Sequence, residues 1–251
     1  STVGPMTKYA VMIKDKRDIL YELEKAYSIA TSGRPGPVWI DIPLDIQGAI
    51  VDESSLKAYT SSESSTTQPT AEEIELFVDE LNKAKKPLFV VGNGIRLSNS
   101  YESFNKLLQE SGIPALTGVH SGIDCIDHSY DYYAGRIGIL GQITSNKIVQ
   151  EADLLIILGS RLNVKMTGYN LAGFAPHAKK IFVDIDVHEM NKHKLLNIVQ
   201  KIHADVGDFL KQLPVINNLN ISEWQAYVKE LRSNQRYYYD KHVNMKEYAS
   251  A

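Results

Sequence analysis

Cysteine is almost absent from this sequence: Cys125 stands alone among 251 residues. An internal disulfide is therefore impossible, and a cysteine-rich zinc site is excluded. A basic surplus is absent too. Lys and Arg number 27 against 30 Asp and Glu, for a formal charge of −3. That argues against a general nucleic-acid binder, which needs a strong basic footprint. No uninterrupted apolar run approaches the ~18 residues of a membrane span. The start of the chain holds no basic-then-apolar leader, so secretion is unsupported and the expected compartment is the cytoplasm. There is no Gly-x-Ser-x-Gly elbow and no Gly-x-x-x-x-Gly-Lys phosphate loop. The histidines show no metal spacing, and His188 and His193 miss the i, i+4 pairing of a helical zinc site. Cys125 lies in Ile123-Asp124-Cys125-Ile126-Asp127, where two acids would raise its pKa and blunt it as a nucleophile. What is present is the ordinary make-up of a soluble globular chain, with 43% apolar and 23% charged residues.

The chain falls into four stretches. Residues 1–50 contain a helical pattern over Asp15–Ser32, a turn at Arg34-Pro35-Gly36-Pro37 and a strand at Val38-Trp39-Ile40-Asp41-Ile42. This is too little for a domain and reads as the last piece of one. Residues 51–69 are rich in Ser and Thr and read as a linker. Residues 70–213 change rhythm. Thr70-Ala71-Glu72-Glu73 is a capping box, and helices then alternate with short apolar strands starting near Pro87, Ile113, Asp153, Lys180 and Gln200. That alternation predicts a doubly wound parallel α/β sheet, covered on both faces. Residues 214–251 hold a helix opening at Ser222-Glu223-Trp224-Gln225 and running to about Tyr239, with Trp224, Tyr227 and Leu231 on one side. No partner for that face is visible, so the helix is expected to dock on something outside the chain. Tyr237-Tyr238-Tyr239 beside Arg236 could stack on bases, but packing is the simpler reading.

Ligands of open α/β sheets bind beyond the carboxyl ends of the strands, at the point where strand order reverses. The residues that follow the strands are Gly92-Asn93-Gly94, Thr117 to Gly122, Gly159-Ser160-Arg161, Asp186 and Asp205. Gly135-Arg136-Ile137-Gly138-Ile139-Leu140-Gly141 precedes a helix. Glycines allow close backbone approach, and amides before a helix can hold an anion, so a nucleotide-type groove is one reading. The plain alternatives stay open. Neither glycine run is a full Gly-x-Gly-x-x-Gly, Arg161 could be a phosphate clamp or an ion-pair partner, and Asp184 or Asp186 could bond a neighbouring loop. His120 is the only histidine placed for catalysis in such a groove, and a structural role suits it better.

Gly33-Arg34-Pro35-Gly36-Pro37-Val38-Trp39-Ile40-Asp41-Ile42-Pro43-Leu44-Asp45-Ile46-Gln47 resembles the end of the pyrimidine-binding domain of thiamine-diphosphate enzymes of the acetolactate synthase type. Thr7-Lys8 fits the same family. Ala152-Asp153-Leu154-Leu155, Gly159-Ser160-Arg161-Leu162, Thr167-Gly168 and Val183-Asp184-Ile185-Asp186 follow in the order of its central domain. The resemblance implies a fragment: the end of one domain, a Rossmann-like central domain, and a helical linker toward a diphosphate-binding domain. It implies a parent that uses thiamine diphosphate and Mg2+ to cleave a small 2-oxo acid and pass the carbanion to an acceptor, assembled as a homodimer or homotetramer. No catalytic residue is expected in this chain, no metal site, and no activity from it alone. In acetolactate synthases the central domain holds FAD in a structural role. Carried over, the contacts are Gly92, Asn93, Gly94, Leu116, Thr117, Gly138, Gly141, Gly159, Arg161, Asp184, Ile185, Asp186, Asp205 and Val206. The family's triple glycine reads Gly92-Asn93-Gly94 here, its Gly-Met-His-Gly reads Gly138-Ile139-Leu140-Gly141, and its Phe-Asp-Asp-Arg reads Leu162-Asn163-Val164-Lys165. The last places Lys165 as the acceptor-carboxylate residue, with its charge kept and the bidentate fork lost. Two alternatives accompany this reading: a parent from a polysaccharide or sugar pathway with another acceptor, and a stand-alone nucleotide-binding regulatory domain. An NAD-dependent deacylase using His120 is a third. The missing initiator Met favours a fragment over the stand-alone domain.

Overall fold

The computed structural model describes residues 2–60, 67–192, 194 and 196–234. Arg236, Tyr237–Tyr239, His193 and the Ser/Thr run at 61–66 lie outside the described residues. The chain divides into two units, Ser1–Thr66 and Thr67–Ala251.

The first unit is a parallel pair, β1 (Tyr9–Met12) and β2 (Val38–Asp41), joined through helix α1 (Ile19–Thr31) and followed by one turn of helix, α2 (Leu44–Gln47). α1 starts later than the expected Asp15 because Lys16–Asp18 form a 3-10 turn, capped by the Asp15 side chain. β1 was not expected from the sequence. It lies in the apolar run Tyr9–Ile13 between Lys8 and Lys14, and its partner β2 arrives only after the whole of α1. The Lys8 ammonium donates to the Ser32 carbonyl at 2.7 Å and the Arg34 carbonyl at 3.1 Å, tying the glycine-proline turn to the strand start. Trp39 is half-exposed.

The second unit begins with α3 (Ala71–Lys83), whose capping box forms as the sequence predicts. Thr70 Oγ1 accepts from the Glu73 N–H at 3.2 Å, and the Glu73 carboxylate accepts from the Thr70 N–H at 2.8 Å. There follow β3 (Pro87–Val91), α4 (Gly94–Leu97), α5 (Tyr101–Ser111), β4 (Ala115–Gly118), β5 (Tyr133–Ile137), α6 (Ile143–Glu151), β6 (Leu154–Leu158), α7 (Val164–Thr167), β7 (Lys179–Asp184), α8 (Val187–Asn191), β8 (Ile198–His203), α9 (Val206–Gln212) and α10 (Ser222–Ser233). The sheet order is β5-β4-β3-β6-β7-β8, with every neighbouring pair parallel. This is the doubly wound arrangement, and its strand order reverses between β3 and β6. β3 and β6 are buried along their whole length. Phe89 meets Phe104 edge to face at 5.6 Å, and Phe77 meets Phe209 at 5.1 Å.

Three expectations need correction. β5 occupies part of the stretch read as a glycine loop, because Gly135 at φ +86 sits inside a strand whose pairing with β4 shifts register. Ser222 does not cap α10; it is the helix's first residue, and Ile221 stands at the cap without a side-chain bond. Nor is α10 without a partner. It packs on β5 and α6. Trp224, Val228 and Leu231 are buried, and Trp224 Nε1 donates to the Pro87 carbonyl at 2.9 Å.

Lys180 on β7 is 1% exposed, and its ammonium donates to the Ala175 and Ala178 carbonyls at 2.8 and 2.9 Å. Burial pushes its pKa down to about 8 from an ordinary 10.5. The unfolded chain therefore binds more protons between those values, and Lys180's cost to folding is largest below pH 8 and falls as pH rises to 10.5. Relative to Lys180→Met, the native protein is expected to gain about 1–3 kcal/mol across that window, measured as the difference in urea midpoints. Parallel curves for the two proteins would refute it.

Candidate functional site

The strand reversal brings the end of β3, continuing as Gly92-Asn93-Gly94, beside the end of β6, continuing as Gly159-Ser160-Arg161. The glycines there face one another. A Cβ on Gly92 would stand 2.2 Å from the Gly159 carbonyl oxygen, and one on Gly94 would stand 2.5 Å from the Gly159 Cα. Their amides are also committed. Gly92 N–H donates to Leu158 O, Gly94 N–H to Gly159 O and Gly159 N–H to Val183 O, each at 3.0 Å. The second glycine pair behaves alike. Gly138 N–H is taken by Asn146 Oδ1 at 3.0 Å and Gly141 N–H by Gly138 O at 2.8 Å.

The polar members of the expected set have internal partners as well. Arg161 pairs with Glu189 on α8 at 2.6 Å. Burial would raise the Glu189 carboxyl, but hydrogen bonds from Arg161 and Lys192 outweigh it and hold the group below the usual carboxylate range. Asp184 Oδ1 accepts from the Asp186 N–H at 2.9 Å, and Asp186 in turn caps α8 through the His188 and Glu189 amides. Asp205 caps α9 by accepting from the Gly207 N–H at 2.8 Å, with Val206 buried behind it. The Ile185 carbonyl lies 2.9 Å from His203 Nε2. Leu116 and Thr117 are fully buried in β4, and Thr117 Oγ1 has no hydrogen-bond partner. Cys125 is buried, and its thiol is pushed up to about 11, by burial first and by the Asp124 charge second. It is a poor nucleophile for a larger reason than its acidic neighbours alone.

Open space lies to one side of this crossing, beyond the ends of β4, β5 and β6. A cavity of about 350 Å³ is walled by Val119, His120 and Ser121, by Ile139 and Leu140, and by Asn163 to Met166 with Tyr169. Lys165, after β6, and His120, after β4, both line this cavity, across the end of β3 that lies between the two strands. Of the apolar walls, Val119, Ile139 and Leu140 lie in stretches that the sequence reading singled out and Val164 in the one compared by resemblance, whereas Met166 was missed. Lys165 sits in α7, where the Asn163 side chain accepts from its N–H at 3.0 Å. Leu162, just before, is held at φ +42 and buried, a left-handed backbone that a non-glycine residue adopts at a cost. One ammonium, one imidazole and an apolar wall suit a small acid with a short hydrocarbon chain. Among the described residues, no group of three or more His, Cys, Asp or Glu side chains could hold a metal ion. No described helix is long and apolar enough to cross a membrane.

Comparison with known proteins agrees with this architecture. The family described as "Thiamine pyrophosphate enzyme, central domain" matches residues 74–213. The acetolactate synthase isozyme 2 large subunit of Escherichia coli is 35% identical over 93% of this chain, and the acetolactate synthase large subunit of Corynebacterium glutamicum is 32% identical over 91%. The chain spans only 41% and 37% of their respective lengths. An X-ray structure from Mycobacterium smegmatis, assigned as a thiamin diphosphate-dependent enzyme, covers 87% of this chain with a TM-score of 0.72 and 20% identity, and spans the same fold over 41% of its own length. With more than half of its residues inside the family match and relatives of this identity along most of its length, the chain belongs to the thiamine pyrophosphate enzymes and carries their central domain.

Proposed function

We propose that this chain is the central portion of a thiamine-diphosphate-dependent carboligase of the acetolactate synthase type, and that its own contribution is a cavity for the carboxylate of a small 2-oxo acid. The observation that carries the reading is Lys165 in an apolar cavity beside the strand reversal. Thiamine diphosphate, when bound elsewhere in the full enzyme, supplies the carbon–carbon bond chemistry. In this chain Lys165 binds and orients by charge, and the apolar walls exclude water. Lysine in place of a guanidinium gives a point charge without a fork, which suits an acceptor gripped by one oxygen. The test is the full-length protein supplied with pyruvate, thiamine diphosphate and Mg2+. Acetohydroxy acid formation, lost or weakened in Lys165→Met through a higher KM, supports the reading; no carboligation with any small 2-oxo acid removes it.

Flavin forms the second part of the proposal. The glycines that a dinucleotide would lie against have spent their N–H groups on the fold, and Arg161 is paired. The glycine amides and Arg161 therefore offer no phosphate cradle, and among the described residues of the set the Thr117 hydroxyl is the one buried side-chain atom without a partner. We therefore read Gly92, Gly94, Gly138, Gly141 and Gly159 as closure points, and the domain as flavin-free. Purified chain is expected to release no flavin on acid treatment and to show no saturable fluorescence change with FAD in the micromolar range. Bound flavin, or saturation in that range, would reinstate the dinucleotide groove.

A further inference from the structure

Asn146 on α6 does more than occupy the Gly138 N–H, for its side chain makes two hydrogen bonds to that single residue. Its Oδ1 accepts from the Gly138 N–H, and its Nδ2 donates to the Gly138 carbonyl, both at 3.0 Å. Only a group with a donor and an acceptor side by side can do both, which among side chains of this length means the asparagine amide. Gly138 is held at φ +130, and a Cβ there would stand 2.5 Å from the Lys165 carbonyl oxygen. The loop and α7 therefore touch backbone to backbone. The next residue closes the link: the Ile139 N–H donates to the Lys165 carbonyl at 2.8 Å. The Lys165 N–H is pinned in turn by Asn163 Oδ1 at 3.0 Å. α6, at the other end of this chain of bonds, is fixed. Ser145 Oγ donates to the Ala134 carbonyl at 2.6 Å, and Ile148 and Val149 are buried.

We infer that Asn146 is the positioning residue of the Lys165 cavity, setting the loop at Gly138–Ile139 and through it the backbone of Lys165. Two of the cavity's walls, Ile139 and Lys165, are the residues joined by the last link. Each bond is ordinary in strength, and together they decide how far the β5 loop stands from α7. The functional half of the inference rests on the acceptor reading of Lys165; the structural half does not.

Two readouts separate those halves. Amide hydrogen exchange of this chain compares the native protein with Asn146→Ala, Asn146→Asp and Ile148→Val, the last loosening α6 from its core side. Asn146→Ala is expected to speed exchange about tenfold or more, both at 137–141 and at 164–166, whereas Ile148→Val leaves the ratio between these segments and the core unchanged. Asn146→Asp should also exchange faster than native at neutral pH, because a carboxylate keeps the bond from the Gly138 N–H but cannot donate to the Gly138 carbonyl and is set against it. It should return toward native once acid restores its O–H, after correction for the intrinsic pH dependence of exchange. In the full-length enzyme, Asn146→Ala should raise KM for the acceptor acid about tenfold with kcat within about twofold. Native exchange at 164–166 in Asn146→Ala, or no acid rescue in Asn146→Asp, overturns the positioning role. Altered exchange in a full-length protein that performs no carboligation leaves the positioning role standing and removes the acceptor reading instead.

Discussion

Replacing Trp224 with alanine is expected to lower the stability of the second unit by about 3–5 kcal/mol. The side chain is 2% exposed, its ring stacks on Tyr227 at 5.6 Å, and its Nε1 supplies the hydrogen bond to the Pro87 carbonyl. Alanine removes a large apolar surface and leaves that buried carbonyl unpaired, and the second loss adds to the first. Trp224→Phe should keep most of the packing and lose about 1–2 kcal/mol for the bond alone. Urea denaturation followed by circular dichroism measures both. A midpoint for Trp224→Ala equal to the native one would mean that α10 is undocked in solution, as the sequence by itself suggested.

Gly92→Ala and Gly159→Ala should be worse, each losing more than about 4 kcal/mol or failing to accumulate as folded protein. The new methyl on residue 92 would meet the Gly159 carbonyl oxygen at 2.2 Å and the Ser160 Cα at 2.5 Å. Those are backbone atoms of a buried strand end, with no rotamer to swing aside. Residue 159 adds φ +54 to a 2.5 Å approach to the Gly94 Cα. Gly168→Ala makes the comparison informative. Its φ is +73 with ψ −179, a region that is essentially glycine-only, but nothing lies within 4 Å of the added carbon, so only the backbone conformation is charged, at about 1–3 kcal/mol. The losses at 92 and 159 should appear with no ligand present. Were these glycines needed only to admit a phosphate, the substituted proteins would fold normally and fail only in binding.

That contrast shows where sequence reading stops. Gly92-Asn93-Gly94 after an apolar strand is spelled the same way whether its neighbour is a phosphate or another glycine. The distinction lies in Gly159, which is distant in sequence and arrives only when β6 pairs with β3. The capping box at Thr70 was legible because donor and acceptor sit three residues apart. The parallel sheet was legible because β3 and β6 are continuous apolar runs and β7 carries Ile181-Phe182-Val183 at its centre. β5 was obscured by Gly135 and Arg136, which break the run at the shift in its pairing. Lys165 could be singled out by resemblance, whereas Asn146 gave no signal at all, since an asparagine on a helix is usually unremarked. The partner of α10 was hidden for the same reason as that of Gly92. Pro87 lies 137 residues before Trp224.

That separation bears on how the protein is made. A ribosome adding about 5–20 residues per second would expose β3 and its helices many seconds before residue 224 emerged. The β4–β5 connection at 119–132 contains no helix, so nothing encoded earlier in that crossover can cover the surface that α10 later occupies. During synthesis the nascent sheet is therefore open where Trp224 will sit, and the Pro87 and Gly112 carbonyls, later taken by Trp224 and Gln225, are left to water. The second unit therefore cannot close over Pro87 until α10 has emerged.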